Sequence, residues 1–117
     1  MKLADVLSGP DKWTQHHSAV DKNGHVVEIH SNDACRFCLF GVINRVYDVG
    51  PNYWMTRTTG RCLAIAAKVI KERCPNDEHT GNRVISGFND DPERTWDDIK
   101  AVVDEIDKRM EAAVESK

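Results

Sequence analysis

The most apolar stretch of the chain is residues 31–47, SNDACRFCLFGVINRVY. Stepped by about 100° per residue, its apolar and small residues cover nearly the whole circumference of a helix. They are Ala34, Cys35, Phe37, Cys38, Leu39, Phe40, Gly41, Val42, Ile43, Val46 and Tyr47. A helix that is apolar all round lies in a core or in a membrane. A membrane span needs about 20 apolar residues. Arg36, Asn44 and Arg45 interrupt this run, so the pattern predicts a core helix. Ser31 or Asn32 suits its N-cap, and Asp33 suits the positive end of its dipole. Gly50 and Pro51 supply the stop, with Gly as C-cap and Pro just beyond. Gly41 costs about 1 kcal/mol against Ala in mid-helix, which points to close approach of a neighbouring group. On this reading the thiols of Cys35 and Cys38 are packing material, and any working surface lies elsewhere.

The other segments follow from the same patterning. Residues 2–8 predict a short helix with Leu3, Val6 and Leu7 on one face, stopped by Gly9-Pro10. Residues 13–20 and 25–29 flank Asp21-Lys22-Asn23-Gly24, and Asn-Gly is a hairpin turn signal because both residues tolerate positive φ. Thr58 or Thr59 is expected to cap a helix over residues 60–73, with Leu63, Ile65, Ala66, Ala67, Val69 and Ile70 on its apolar face. Residues 52–55 form an aromatic patch before it. Val84, Ile85 and Phe88 make too short a run to assign. Thr95 with Asp98 three residues on resembles a capping box. It opens a helix over residues 96–114 whose apolar face is Ile99, Val102, Val103, Ile106, Met110 and Ala113. The predicted fold class is α+β and mainly helical: three main helices, a short N-terminal one and a β-hairpin near the N-terminus.

Composition sets limits on this picture. The 117 residues, 40% hydrophobic and 30% charged, are those of one soluble globular domain, residues 1–117. Neither a signal-peptide pattern nor a membrane span is legible. Four cysteines without a secretory signal suggest free thiols in a reducing cytoplasm. The net charge of -3 is unevenly spread. Residues 36–73 carry seven bases against two acids, whereas residues 91–117 carry nine acids against five bases. A basic middle is suited to meeting an anion. The negative total and the lack of a densely basic helix argue against DNA.

Several landmarks recur together in one known family. They are Trp13-Thr14-Gln15, the Asp21-Lys22-Asn23-Gly24 turn, Ala34 followed by residues 37–42 (FCLFGV), and Phe88-Asn89-Asp90 with Arg94-Thr95 before a final helix. In this order they resemble a small uncharacterised domain family of bacteria and their phages. That family has a Trp-x-Gln start, a Cys-x-x-Gly-Ala helix and a Trp-Asn-Asp turn. Phe88 stands where the family has Trp, and Val42 where it has Ala. The resemblance spans roughly Leu3 to Met110. It implies a cytoplasmic accessory protein, phage-encoded or bacterial, and brings no activity with it.

Four constellations carry candidate chemistry. Cys35-x-x-Cys38 with Cys62 and Cys74 has thiolates at metal spacing, but the pair sits inside an apolar run without a second tight pair. Buried cysteines behave as small hydrophobes, so no metal or cofactor is expected. Gln15, Cys38, a histidine and Asn89 are the residue types of a papain-like site: oxyanion donor, nucleophile, base and orienter. Cys35 is the other candidate nucleophile, nearer the expected helix start, where the dipole lowers a thiol pKa. Arg57, Thr58, Thr59 and Arg61 group hydroxyls and guanidiniums at a helix start, which is what a phosphate needs. Phe88-Asn89-Asp90 with Trp13 and Gln15 suits either a polar pocket floor or an Asx-turn that aims the next helix. The favoured expectation is a protein that binds a small anionic, nucleotide-like ligand through Arg57, Thr58, Thr59 and Arg61, or binds a protein partner. The alternatives are a cysteine-dependent hydrolase using Cys38, Gln15 and Asn89, and a purely structural or interaction module.

Overall fold

The computed structural model describes residues 1–48 and 57–115, with side chains through residue 113. Their elements run α1 (Leu3–Val6), β1 (Ala19–Val20), β2 (Arg36–Phe37), α2 (Leu39–Tyr47), α3 (Arg57–Arg73), α4 (Asn82–Asp90) and α5 (Trp96–Glu115), with a 3-10 turn at Pro10–Lys12 after α1. The architecture is α+β and mainly helical, as the hydrophobic pattern predicts. The aromatic patch at 52–55 and the Gly50-Pro51 stop lie outside the described residues. No described helix is long and apolar enough to cross a membrane.

α5 follows its sequence signals most closely. Thr95 N–H donates to Asp98 Oδ2 at 3.1 Å and Asp98 N–H to Thr95 Oγ1 at 3.3 Å, the reciprocal bonds of a capping box. Ile99, Val102, Val103, Ile106 and Met110 are buried on one face. Each contributes about 1.5–3 kcal/mol by leaving water. They meet Cys62, Leu63, Ala66, Val69 and Ile70 of α3 in one core cluster. At the rim Arg109 grips Glu72 of α3 at 2.6 and 3.2 Å and Glu105 at 2.8 Å. α1 is too short to hold itself. Asp107 of α5 accepts the Leu3 N–H at 2.9 Å and the Ala4 N–H at 3.0 Å, so two donors that a helix start leaves unpaired are satisfied from 103 or more positions away.

Three boundaries differ from expectation. α2 begins at Leu39 with Cys38 as its N-cap, not at residue 31 or 32. Residues 31–34 make a turn, with Ala34 N–H donating to Ser31 O and Asp33 N–H to Ser31 Oγ. Residues 36–37 are a strand, and Phe37 reaches the core from there. The run was apolar all round because a strand and a helix share it. The described part of α3 starts at Arg57, so Thr58 and Thr59 lie within the helix and do not cap it. The short run around Val84 is α4, a nine-residue helix entered through Gly81 at φ 59°.

The hairpin also pairs differently. The Asn23-Gly24 turn forms, with Gly24 at φ 83° and Gly24 N–H donating to Asp21 O at 3.0 Å. The returning chain meets β1 through an isolated antiparallel bridge between Val20 and Val26, with Val27 N–H donating to Ala19 O at 3.2 Å. The partner of β1 is β2, antiparallel, with Ala19 opposite Phe37 and Val20 opposite Arg36. Burial decides this: Phe37 is 3% exposed, whereas Val26 is 64% exposed and has no core to enter. β1 passes close to α2, where a Cβ on Gly41 would overlap the Ser18 carbonyl oxygen. That close approach is the reason for glycine at this position.

Candidate functional site

The site is assembled around Asn89, in the last turn of α4 and fully buried. Its Oδ1 accepts the Trp13 indole N–H at 2.8 Å and the Leu39 N–H at 3.0 Å. Its Nδ2 donates to Thr14 O at 3.1 Å and to Asp90 Oδ1 at 2.9 Å. Every lone pair and proton of the amide group is thereby used. Gln15 Nε2 donates to Asn89 O at 3.0 Å and Asp91 O at 2.9 Å, closing carbonyls that the end of α4 leaves open. His16 N–H donates to Asp90 Oδ1 at 2.8 Å. Residues 13–16 are thus fastened along the end of α4, and His16 takes the left-handed backbone at φ 72°. Such a conformation in a non-glycine residue persists only where its surroundings enforce it.

This fastening carries His16, His17 and Ser18 to one side of a cleft of about 280 Å³. Cys38 and Phe40 at the start of α2 line its floor, and Asn82, Arg83, Ser86 and Asp90 of α4 line the opposite wall. His16 Nδ1 stands 4.0 Å from Asp90 Oδ2. Cys38 is 7% exposed, and its Sγ accepts the Gly41 N–H at 3.2 Å, so the sulfur caps the helix. Burial pushes the Cys38 thiol up from its ordinary pKa, against the opposing pull of the Gly41 and Phe40 amides. Among the described residues no imidazole hydrogen-bonds to this sulfur. With the Leu39 N–H given to Asn89 and the Gly41 N–H to sulfur, the start of α2 is largely closed to an incoming anion.

Gln15 is bonded to the Asn89 carbonyl, and Asn89 to the Leu39 N–H next to Cys38, but neither Gln15 nor Asn89 lines the cleft that Cys38 faces. The amide protons of Gln15 and Asn89 are also spent on carbonyl and carboxylate oxygens of the fold. Neither has one left for an oxyanion. Asn89 and Asp90 end a helix and do not form an Asx-turn before the next one. The expectation that thiols at 35 and 38 serve packing alone is corrected at Cys38, which faces the same cleft as two histidines. Arg57, Thr58 and Arg61 are exposed on the first turns of α3, while Thr59 is wholly buried. Thr58 lines a separate cleft of about 500 Å³ with Lys2, Asp107 and Glu111. Two acids there disfavour an anion. All four cysteines are free, and no group of three metal-ligating side chains converges among the described residues.

Arg83 and Ser86 are cleft residues that sequence reasoning missed. Neither belongs to a motif, and only the assignment of α4 as a helix puts them one turn apart. His16 and His17 were visible as a pair, but nothing local signalled the turn that aims them. Neither the curated proteins nor the solved structures contain a match to this chain. The model of DUF6197, a family of unknown function, matches residues 2–109, and the chain belongs to that family.

Proposed function

We propose that this chain is a small, soluble, cytoplasmic accessory protein of one domain that binds a small anionic, nucleotide-like ligand in the cleft beside Cys38. One observation carries the reading. The Arg83 and His17 side chains line that cleft without a hydrogen bond or ion pair to any described residue. A guanidinium with its donors unspent is suited to carboxylate or phosphate. Phe40 on the floor offers an apolar surface to the body of the ligand, and Ser18, Asn82 and Ser86 supply neutral hydrogen-bonding groups. Asp90 also lines the cleft, and the His16 and Asn89 N–H groups that it accepts offset part of its charge.

The test is titration of the folded chain with AMP, adenosine and inorganic phosphate, followed by amide chemical shifts. AMP is expected to move the resonances of Arg83, His17 and Phe40 saturably, with adenosine weaker. Arg83→Ala is expected to weaken AMP binding about tenfold. Arg57→Ala with Arg61→Ala is the matching test for the exposed start of α3, and a loss of binding there would move the ligand to that face. No response to any anion would leave the protein-partner or interaction-module reading.

The placement of the Cys38 sulfur in one cleft with His16, His17 and Asp90 favours a second reading, a cysteine-dependent hydrolase. The raised thiol and the spent amides of Gln15 and Asn89 weigh against it. Rapid alkylation of Cys38 at neutral pH would reverse that order.

A further inference from the structure

We propose that a second cleft, at the C-terminal end of α2, binds an organic cation carrying N–H donors, a guanidinium or a primary ammonium. Asp48 carries the argument. It is the C-cap of α2 and is 7% exposed. Its Oδ1 is the one buried side-chain polar atom among the described residues without a hydrogen-bond partner. No described Lys, Arg or His stands within ion-pair distance of it. A buried carboxylate without a partner is among the least favourable groups a fold can hold. Its position makes matters worse. The C-terminal end of a helix is the negative end of its dipole, which repels an anion and attracts a cation. An orphan of this kind, with no other such atom among the described residues, calls for a partner from outside.

The surroundings say what that partner is. Asp48 lines a cleft of about 600 Å³ together with Glu28, His30, Ser31 and Asn44. Glu28 adds a second carboxylate. Asn44 spends its Nδ2 on Phe40 O at 2.9 Å, which leaves its Oδ1 to accept. Val27 and Ile29 line the same cleft and suit a short methylene chain. Arg45, on the same turn of α2, does not neutralise Asp48. Its Nη1 is committed to the carbonyls of Ile29 at 2.7 Å and Ser31 at 2.9 Å. A metal ion would need several converging ligands, and the described residues offer no such group. A cation that brings its own N–H donors needs acceptors, which Asp48, Glu28 and Asn44 supply. The site is at the opposite end of α2 from the anion cleft and stands or falls separately.

The full chain is titrated with n-butylguanidinium and n-butylammonium, and with tetramethylammonium as a control of equal charge lacking N–H. Saturable amide shifts centred on residues 27–31, Asn44 and Asp48 are expected with the first two and not with the third. Asp48→Asn is expected to weaken binding about tenfold or more, as loss of a charged hydrogen-bond partner does. Absence of saturable shifts up to about 10 mM, beyond the millimolar affinities of weak complexes, overturns the proposal. So does equal binding of tetramethylammonium, or undiminished binding by a folded Asp48→Asn. Should that variant fail to fold, the wild-type titration decides alone: shifts at Asp48 and Asn44 that depend on N–H support the site, and shifts elsewhere overturn it.

Discussion

Asn89 Oδ1 accepts the Leu39 N–H at 3.0 Å, so a side chain at the end of one helix caps the start of another. The same oxygen holds Trp13, and the amide nitrogen holds Thr14. Replacing Asn89 by Ala strands two buried donors and one acceptor. Each costs about 1–3 kcal/mol, so Asn89→Ala is expected to lose about 3 kcal/mol or more. Urea denaturation checks this. A loss under about 1 kcal/mol would mean that water takes over these bonds.

Gly41→Ala sets two effects against each other. Alanine gains about 1 kcal/mol of helix propensity. Its methyl group, however, would collide with the Ser18 carbonyl, which is backbone and has little freedom to yield. Overpacking of this sort costs about 1–3 kcal/mol, and separation of β1 from α2 would add to it. The variant is expected to be destabilised, with a lower Tm in a thermal melt. An unchanged or raised Tm would show that the two segments can part without loss.

The four thiols are expected to react in an order set by burial. Cys35 and Cys74 are half-buried, while Cys38 and Cys62 are buried and have raised pKa values. Only the thiolate attacks an alkylating agent. Iodoacetamide under native conditions should label Cys35 and Cys74 first and leave Cys38 and Cys62 until the chain opens. Peptide mass spectrometry over time gives the order, and early labelling of Cys38 contradicts it.

Alkaline pH should destabilise the fold through Cys62. Burial pushes its thiol from the ordinary 9.0 up to about 12. Above pH 9 the unfolded chain releases a proton that the folded chain keeps. Unfolding is therefore favoured as pH rises, by up to about 1.4 kcal/mol per pH unit for one fully shifted group. The stability is fully present below the ordinary value and is lost on the way to the folded one. Cys38 and Tyr47 shift in the same direction. Denaturation between about pH 8 and pH 11 should show a steeper decline for the wild type than for Cys62→Ala. Parallel curves would remove Cys62 from the explanation.

What could be read from the sequence was whatever rested on one period at a time. α5 was legible because Ile99, Val102, Val103 and Ile106 repeat at helical spacing behind a Thr95–Asp98 cap. The start of α2 was not, because Phe37 is buried from a strand and Leu39 from a helix, and their hydrophobic residues run together. α4 offers only Val84, Ile85 and Phe88 to the core, too few to establish a period. The candidate cleft was the least legible feature. Its histidines are aimed by a left-handed residue whose N–H is held by a carboxylate 74 positions away. Trp13, Gln15 and Asn89 were legible as companions, but their use as scaffold could be seen only once each polar atom had a partner.

The pairing of Ala19 with Phe37 and Val20 with Arg36 brings both feet of the intervening excursion to the same spot. A segment whose ends are already stapled side by side can be lengthened at its tip with little extra chain entropy lost on closure. Asn23 and Gly24, exposed at that tip, are therefore the natural seam for grafting an epitope or a spectroscopic label. A graft there would leave the cleft between Cys38 and Arg83 undisturbed and give a handle for watching it fill.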